Sequence, residues 1–185
     1  MLNKMNSSTI ACYITLFGAI VVNLGFVSIT TADEVERPKT VKTVYLVRHA
    51  EKEKGNNRNP NLTEKGKTRA INLVKMLKNK NIEIIYSTQY ARTIQTASPM
   101  AKELGLNIQS YDPRNLKQFA DSLLSKQANM LIVGHSNTTP SLVQLLGGNA
   151  KSKIDESEYN RVYKLQISED KVVTELLLSS AVQSK

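Results

Sequence analysis

The chain has two histidines, His49 and His135, and each comes just after a short apolar run. Residues 43–47 (Thr-Val-Tyr-Leu-Val) lead into Arg48-His49, and residues 129–133 (Asn-Met-Leu-Ile-Val) lead into Gly134-His135. A third run, residues 82–86, leads into Ser87-Thr88 and then Arg92. Two imidazoles and two guanidiniums suit a phosphoryl group. A guanidinium presents planar, paired donors that match phosphate oxygens, and it stays charged. A neutral imidazole is nucleophilic at one ring nitrogen when the other is held as a donor. Phosphoryl transfer asks mainly for positioning and for stabilisation of charge on the equatorial oxygens. A covalent phosphohistidine would divide the reaction into two easier steps.

These side chains meet only if the three runs are neighbouring strands. By length and β-branching, residues 43–47, 82–86 and 129–133 read as buried strands, with a shorter one expected within 106–111. Thr63 is an expected N-cap for a helix to about Lys78, whose Ala70, Leu73, Val74 and Leu77 share one face. Residues 90–104 have a helical pattern with Pro99 as an expected break and Gly105 as a stop. Residues 113–125 read as a helix. Pro140 is placed at the first position of another, capped by Thr139 and ending at Gly147-Gly148. Residues 161–167 and 171–178 alternate about Ser168-Glu169-Asp170 and read as a hairpin. Strands alternating with helices define an α/β fold. The expected architecture is a three-layer sandwich: a mostly parallel central sheet, helices on both faces and an antiparallel edge hairpin. In such sheets ligands bind beyond the carboxyl ends of the strands, where His49, Arg92 and His135 fall.

Composition narrows the classes. A length of 185 residues fits one domain with a small appendage. One Cys precludes an internal disulfide, and one Cys with two His precludes a Cys/His zinc site of the usual spacing. Lys+Arg number 25 against 16 Asp+Glu, a net charge of +9, which favours an acidic partner. Residues 37–80 hold 13 Lys+Arg against 3 Asp+Glu, so the excess is concentrated around Arg48-His49. A nucleic-acid module is disfavoured, because basic and aromatic residues do not interleave and Phe119 is the single Phe after residue 32.

No charge occurs between Lys4 and Asp33, and residues 10–29 are largely apolar before Thr30-Thr31-Ala32. Residues 1–32 read as a signal peptide cleaved after Ala32, with an uncleaved membrane anchor as the alternative. Residues 33–42 read as a linker and residues 43–185 as the domain. The expected location is exported: periplasmic or secreted, with a membrane association only if the segment is retained.

Four stretches, in order, resemble the motifs of the histidine phosphatase superfamily, the phosphoglycerate mutase-like proteins, and in particular its small exported phosphatases. They are Tyr45-Leu-Val-Arg-His-Ala-Glu-Lys52; Leu62-Thr-Glu-Lys-Gly66; Ser87-Thr88 through Arg92-Thr93 and Gln95-Thr96-Ala97; and Val133-Gly-His-Ser136. The resemblance implies a phosphatase with no metal and no cofactor, in which His49 accepts the phosphoryl group and Arg48, Arg92 and His135 complete its pocket. The implied substrate is a phosphomonoester or a phosphohistidine, as a small phosphorylated molecule or an envelope phosphosugar. One departure concerns the proton donor. The family's acid phosphatases carry His-Asp where this chain has His135-Ser136. Asp112 and Glu51 are the candidate acids, with Asp121 a weaker one. Glu51 and Asn137 are also candidate substrate contacts, and Thr138 stands beside them. The bland readings are a loop charge for Glu51, a turn or cap for Asp112, and a helix cap for Asn137. Two other functions stay open at this point: a non-catalytic phospho-ligand binding module on the same fold, and a mutase-type phosphotransferase.

Overall fold

A computed structural model describes residues 40–182. The expected signal or anchor and most of the expected linker lie outside the described residues. These form β1 (Lys42–Arg48), α1 (Glu64–Leu77), β2 (Ile84–Ser87), α2 (Ala91–Leu104), β3 (Ile108–Ser110), α3 (Leu116–Leu124), β4 (Met130–Gly134), α4 (Thr138–Leu145), β5 (Arg161–Ile167) and β6 (Val172–Leu178). One sheet orders the strands β3-β2-β4-β1-β5-β6. The first four are mutually parallel, and β5 and β6 close the edge as antiparallel neighbours. No described helix is long and apolar enough to cross a membrane.

The period of two along β1 sorts the core into two halves. Val44 and Leu46 pack with Leu123 of α3, Leu142 of α4, and Ile132 and Leu165 of the neighbouring strands. Tyr45 and Val47 pack on the other face with Leu73 and Leu77 of α1 and Met100 of α2. The sheet is therefore the middle of three layers. Each fully buried aliphatic side chain in it contributes about 1.5–3 kcal/mol. Lys42 opens β1 yet is buried at 5% exposure. Its Nζ donates to the carbonyls of Leu123, Leu124 and Lys126. The cation thus satisfies the acceptors that α3 leaves bare at its C-terminus.

Several ends differ from the pattern-based expectation. Thr63 caps α1 as expected, its hydroxyl accepting from the Gly66 amide at 3.1 Å. Pro99 does not break α2, which runs through it. Buried Ala97, Met100 and Ala101 hold that helix against the sheet on either side of the missing N–H. Gly105 ends it with φ +65°, and the Leu106 amide reaches back to Ala101 O. α3 starts at Leu116 rather than at Pro113, because Asp112 takes the Arg114 amide into a side-chain turn first. α4 starts at Thr138, not Pro140. The proline sits within the first turn, where its lost N–H has no partner to forfeit.

Candidate active site

β1, β2 and β4 are adjacent, so their carboxyl ends share one edge. A crevice of about 370 Å³ lies there, with Arg48, His49, Arg92, His135, Ser136 and Asn137 among its lining residues. The pairing Arg48↔Gly134 aligns the two motifs, and the His49 amide donates to Gly134 O at 2.9 Å. The imidazoles of His49 and His135 stand edge to face with centroids 5.6 Å apart.

The hydrogen bonds define both tautomers. His49 Nδ1 lies 2.8 Å from the Ala50 carbonyl oxygen, which can only accept. The proton is on Nδ1, and the lone pair is on Nε2. His135 Nδ1 lies 3.5 Å from Arg92 Nη2, which can only donate. Its proton therefore sits on Nε2, 2.9 Å from Thr88 Oγ1. Thr88 in turn meets Thr93 Oγ1 at 2.9 Å, and the Thr93 hydroxyl ends the chain on the carbonyls of Thr88 and Tyr90. Burial is the main cause that lowers the His49 pKa to about 3; the nearby Arg48, Arg92 and His135 push the same way, against the Ala50 hydrogen bond. Burial, then Arg92 and Arg48, lower His135 to about 4. Both rings are neutral at neutral pH.

The two arginines are held by different means. Arg48 is 1% exposed at its side chain, and Arg48 Nη1 donates to the carbonyls of Asp155, Glu156 and Glu158 at 2.8, 3.1 and 3.0 Å. Its guanidinium lies over the Tyr159 ring at 4.3 Å, and that of Arg92 over the Tyr90 ring at 4.4 Å. Among the described residues, three buried side-chain polar atoms lack a hydrogen-bond partner, and two of them are Arg48 Nε and Arg92 Nε. Both residues line the crevice, and buried cationic donors are costly to leave unmade.

Helix α2 braces this arrangement along one stretch. Arg92 reaches the crevice, and Thr93 anchors Thr88. Gln95 clamps the loop before α1, accepting from the Leu62 amide at 2.8 Å and donating to Asn61 Oδ1 at 2.8 Å. Thr96 Oγ1 accepts from the Ala50 amide. Gly66 lets α1 approach the strand end, because a Cβ there would stand 2.2 Å from Glu51 O.

The two carboxylates expected as acids do not line the crevice. Glu51 is gripped by Arg69, with Oε1–Nη2 at 2.7 Å and Oε2–Nε at 2.9 Å. Burial pushes its carboxyl up, but the Arg69 hydrogen bonds prevail and hold it below its ordinary range. It lines a neighbouring cavity with Lys65 and Tyr159. Asp112 is engaged by Arg114 Nε at 3.0 Å and lines an adjoining cleft with Gln89 and Tyr90. Asp121 sits on α3 and pairs with Lys117 on the same helix.

The carboxylate in the crevice is Glu156. Its Oε2 accepts from Arg48 Nη2 at 2.8 Å, and its Oε1 accepts from Ser136 Oγ at 2.6 Å. Sequence reasoning missed it, along with Tyr90 and Tyr159, and placed Thr88 in a motif without giving it a role. Glu156 and Tyr159 lie in the connection between α4 and β5, which carries no periodic pattern and no motif. Its length between two ordered elements was the one available signal. Among the described residues, no group of three or more His, Cys, Asp or Glu could hold a metal ion.

Comparison with known proteins gives a family match over part of the chain and a shared fold. Residues 44–115 match the family model described as Histidine phosphatase superfamily (branch 1). His135 lies beyond the matched segment. The fold is shared with a mycobacterial glucosyl-3-phosphoglycerate phosphatase, Rv2419c, in complex with inorganic phosphate (12% identity, TM-score 0.57, 76% of this chain and 98% of that one). It is shared equally with the protein histidine phosphatase SixA complexed with tungstate (17% identity, TM-score 0.58, 75% and 97%). A third structure, mycobacterial hydrolase 2, has 12% identity and a TM-score of 0.59 over 78% and 93%. At these identities the likeness is one of fold. No curated protein matches the chain significantly. The chain thus carries the histidine phosphatase pattern over residues 44–115 and has the histidine phosphatase fold.

Proposed function

We propose that this chain is an exported, metal-independent phosphatase that hydrolyses a phosphomonoester or phosphohistidine through a phosphohistidine on His49. The observation that carries the reading is the pair of buried, unpartnered guanidinium donors, Arg48 Nε and Arg92 Nε, on a crevice shared with two neutral imidazoles. The two guanidiniums suit an oxyanion and repel a metal cation. The charge-free apolar stretch between Lys4 and Asp33 supports export.

In the first step the His49 Nε2 lone pair attacks phosphorus. The bond from phosphorus to the leaving group breaks, and the leaving group departs with that electron pair. Ala50 O holds the Nδ1 proton, so the ring accepts the developing positive charge without changing tautomer. Arg48 and Arg92 face the charge on the equatorial oxygens, while His135, its Nε2 proton given to Thr88, holds Arg92 through Nδ1. In the second step water attacks phosphorus and loses a proton to solvent, replacing the one the departed leaving group took from it. The P–N electrons return to Nε2, releasing orthophosphate and neutral His49. That the SixA and Rv2419c structures hold tungstate and phosphate supports an anion in the corresponding fold.

The test is hydrolysis of an aryl phosphate in the presence of chelator by the wild type and by His49→Ala. Turnover in the wild type with loss of at least a thousandfold in the variant is expected, together with an acid-labile phosphoprotein in the wild type alone. Equal rates would overturn the assignment.

A further inference from the structure

The Arg48 guanidinium has a limited number of donors, and most are already committed. Nη1 is spent on three backbone carbonyls of the connection between α4 and β5. The edge left for an oxyanion is Nε with Nη2, and Nη2 is taken by the Glu156 carboxylate. A carboxylate is itself an oxyanion, so Glu156 and a phosphoryl group compete for the same donor. The two ends of Glu156 are held unequally. Its backbone is anchored with its neighbours on Arg48 Nη1, while its side chain is 78% exposed and, among the described residues, is held by hydrogen bonds to Arg48 and the Ser136 hydroxyl alone. The carboxylate can swing to solvent about its own side-chain torsions while the loop stays in place.

We propose that Glu156 is a displaceable internal anion that sets which phosphorylated molecules the crevice accepts. It releases Arg48 Nη2 to an incoming substrate phosphoryl group and reclaims it as orthophosphate departs. The proposal rests on the anion-site reading above. Free orthophosphate must expel the carboxylate with phosphoryl contacts alone. A phosphorylated substrate adds contacts in the adjoining cleft, which shares Tyr90, Pro113 and Arg114 with the crevice. Glu156 therefore lowers the affinity for every phosphoryl group by one common factor, and molecules whose other contacts in the cleft offset that cost still bind.

The experiment is calorimetric titration of the full chain with inorganic phosphate and with tungstate, which needs no turnover. Glu156→Gln removes the competing charge and is expected to bind both anions about tenfold more tightly than the wild type. Ser136→Ala, which loosens the carboxylate, is expected to tighten binding by a smaller factor. Glu53→Gln makes the same change of charge on the exposed loop after β1, outside the crevice lining, and is expected to stay within about twofold of the wild type. Equal affinity of wild type and Glu156→Gln, both with intact thermal unfolding, overturns the gate while leaving the phosphatase reading intact. Equal tightening in Glu53→Gln also overturns it, by showing a general field effect. If no protein in the series binds either anion, the anion site and the gate fall together.

Discussion

The Ala50 amide donates a 2.9 Å hydrogen bond to Thr96 Oγ1, joining the residue after His49 to the helix that presents Arg92. Ala50 is fully buried, so its N–H has no access to water. Thr96→Val keeps the volume and removes the acceptor. An unmade buried hydrogen bond costs about 1–3 kcal/mol, and that loss is expected in urea denaturation. A variant as stable as the wild type would show that this brace is idle.

Both imidazoles are expected to remain neutral well below the usual histidine range, because burial and the two arginines disfavour the charged form. The chain has two histidines, so the ring signals in a tag-free sample are unambiguous. Neither should titrate above pH 5 in an NMR titration. A ring titrating near its ordinary value would contradict the described crevice.

The same shifts make stability depend on pH. The unfolded chain protonates its histidines near pH 6.5 while the folded chain does so near 3 and 4. Between those values the unfolded state binds more protons, so stability falls as the pH is lowered through 6.5. The slope is at most about 1.4 kcal/mol per pH unit for each ring. The depressed carboxyls of Glu51 and Glu156 lose their contribution at lower pH, leaving the window from 6.5 to about 5 to the imidazoles. Urea midpoints across that window should fall in the wild type and fall less steeply in His49→Asn.

Gly66→Ala is expected to be far costlier than an alanine on a helix surface. The new Cβ would stand 2.2 Å from the Glu51 carbonyl, a backbone atom two residues from His49. Something must shift, at about 1–3 kcal/mol of overpacking. The shift falls on the strand end, so aryl phosphate turnover should drop together with the unfolding temperature. Lys67→Ala, on the exposed side of the same helix, is the reference.

Much of the fold and of the crevice is readable from residue order. Buried strands announce themselves by continuous β-branched and aliphatic runs, and Thr63 and Gly105 mark helix ends by local chemistry alone. Arg48, His49, Arg92 and His135 stand just past the ends of three such runs, so they can be named without any contact information. The misplaced ends arose where a side chain or tertiary packing outweighs local preference: Asp112 delays α3, and core burial carries α2 through Pro99. Glu156 was invisible for another reason. It belongs to no periodic element, and it reaches the crevice only because the connection folds back to seat its carbonyls on Arg48, 107 to 110 residues earlier in the chain. The Arg69 partner of Glu51 is hidden in the same way, 18 residues away, whereas Arg114 lies two residues from Asp112 and diverts it locally.

The pairing of Arg48 with Gly134 has a consequence for how errors in folding would show themselves. A slip of one residue between β1 and β4 would carry Val44 and Leu46 to the wrong face and would part His49 from His135 in the same motion. Core and crevice are specified by one alignment. Assembly of the reactive pair is therefore a by-product of correct burial, and a molecule that passes the test of compaction has already positioned its histidines.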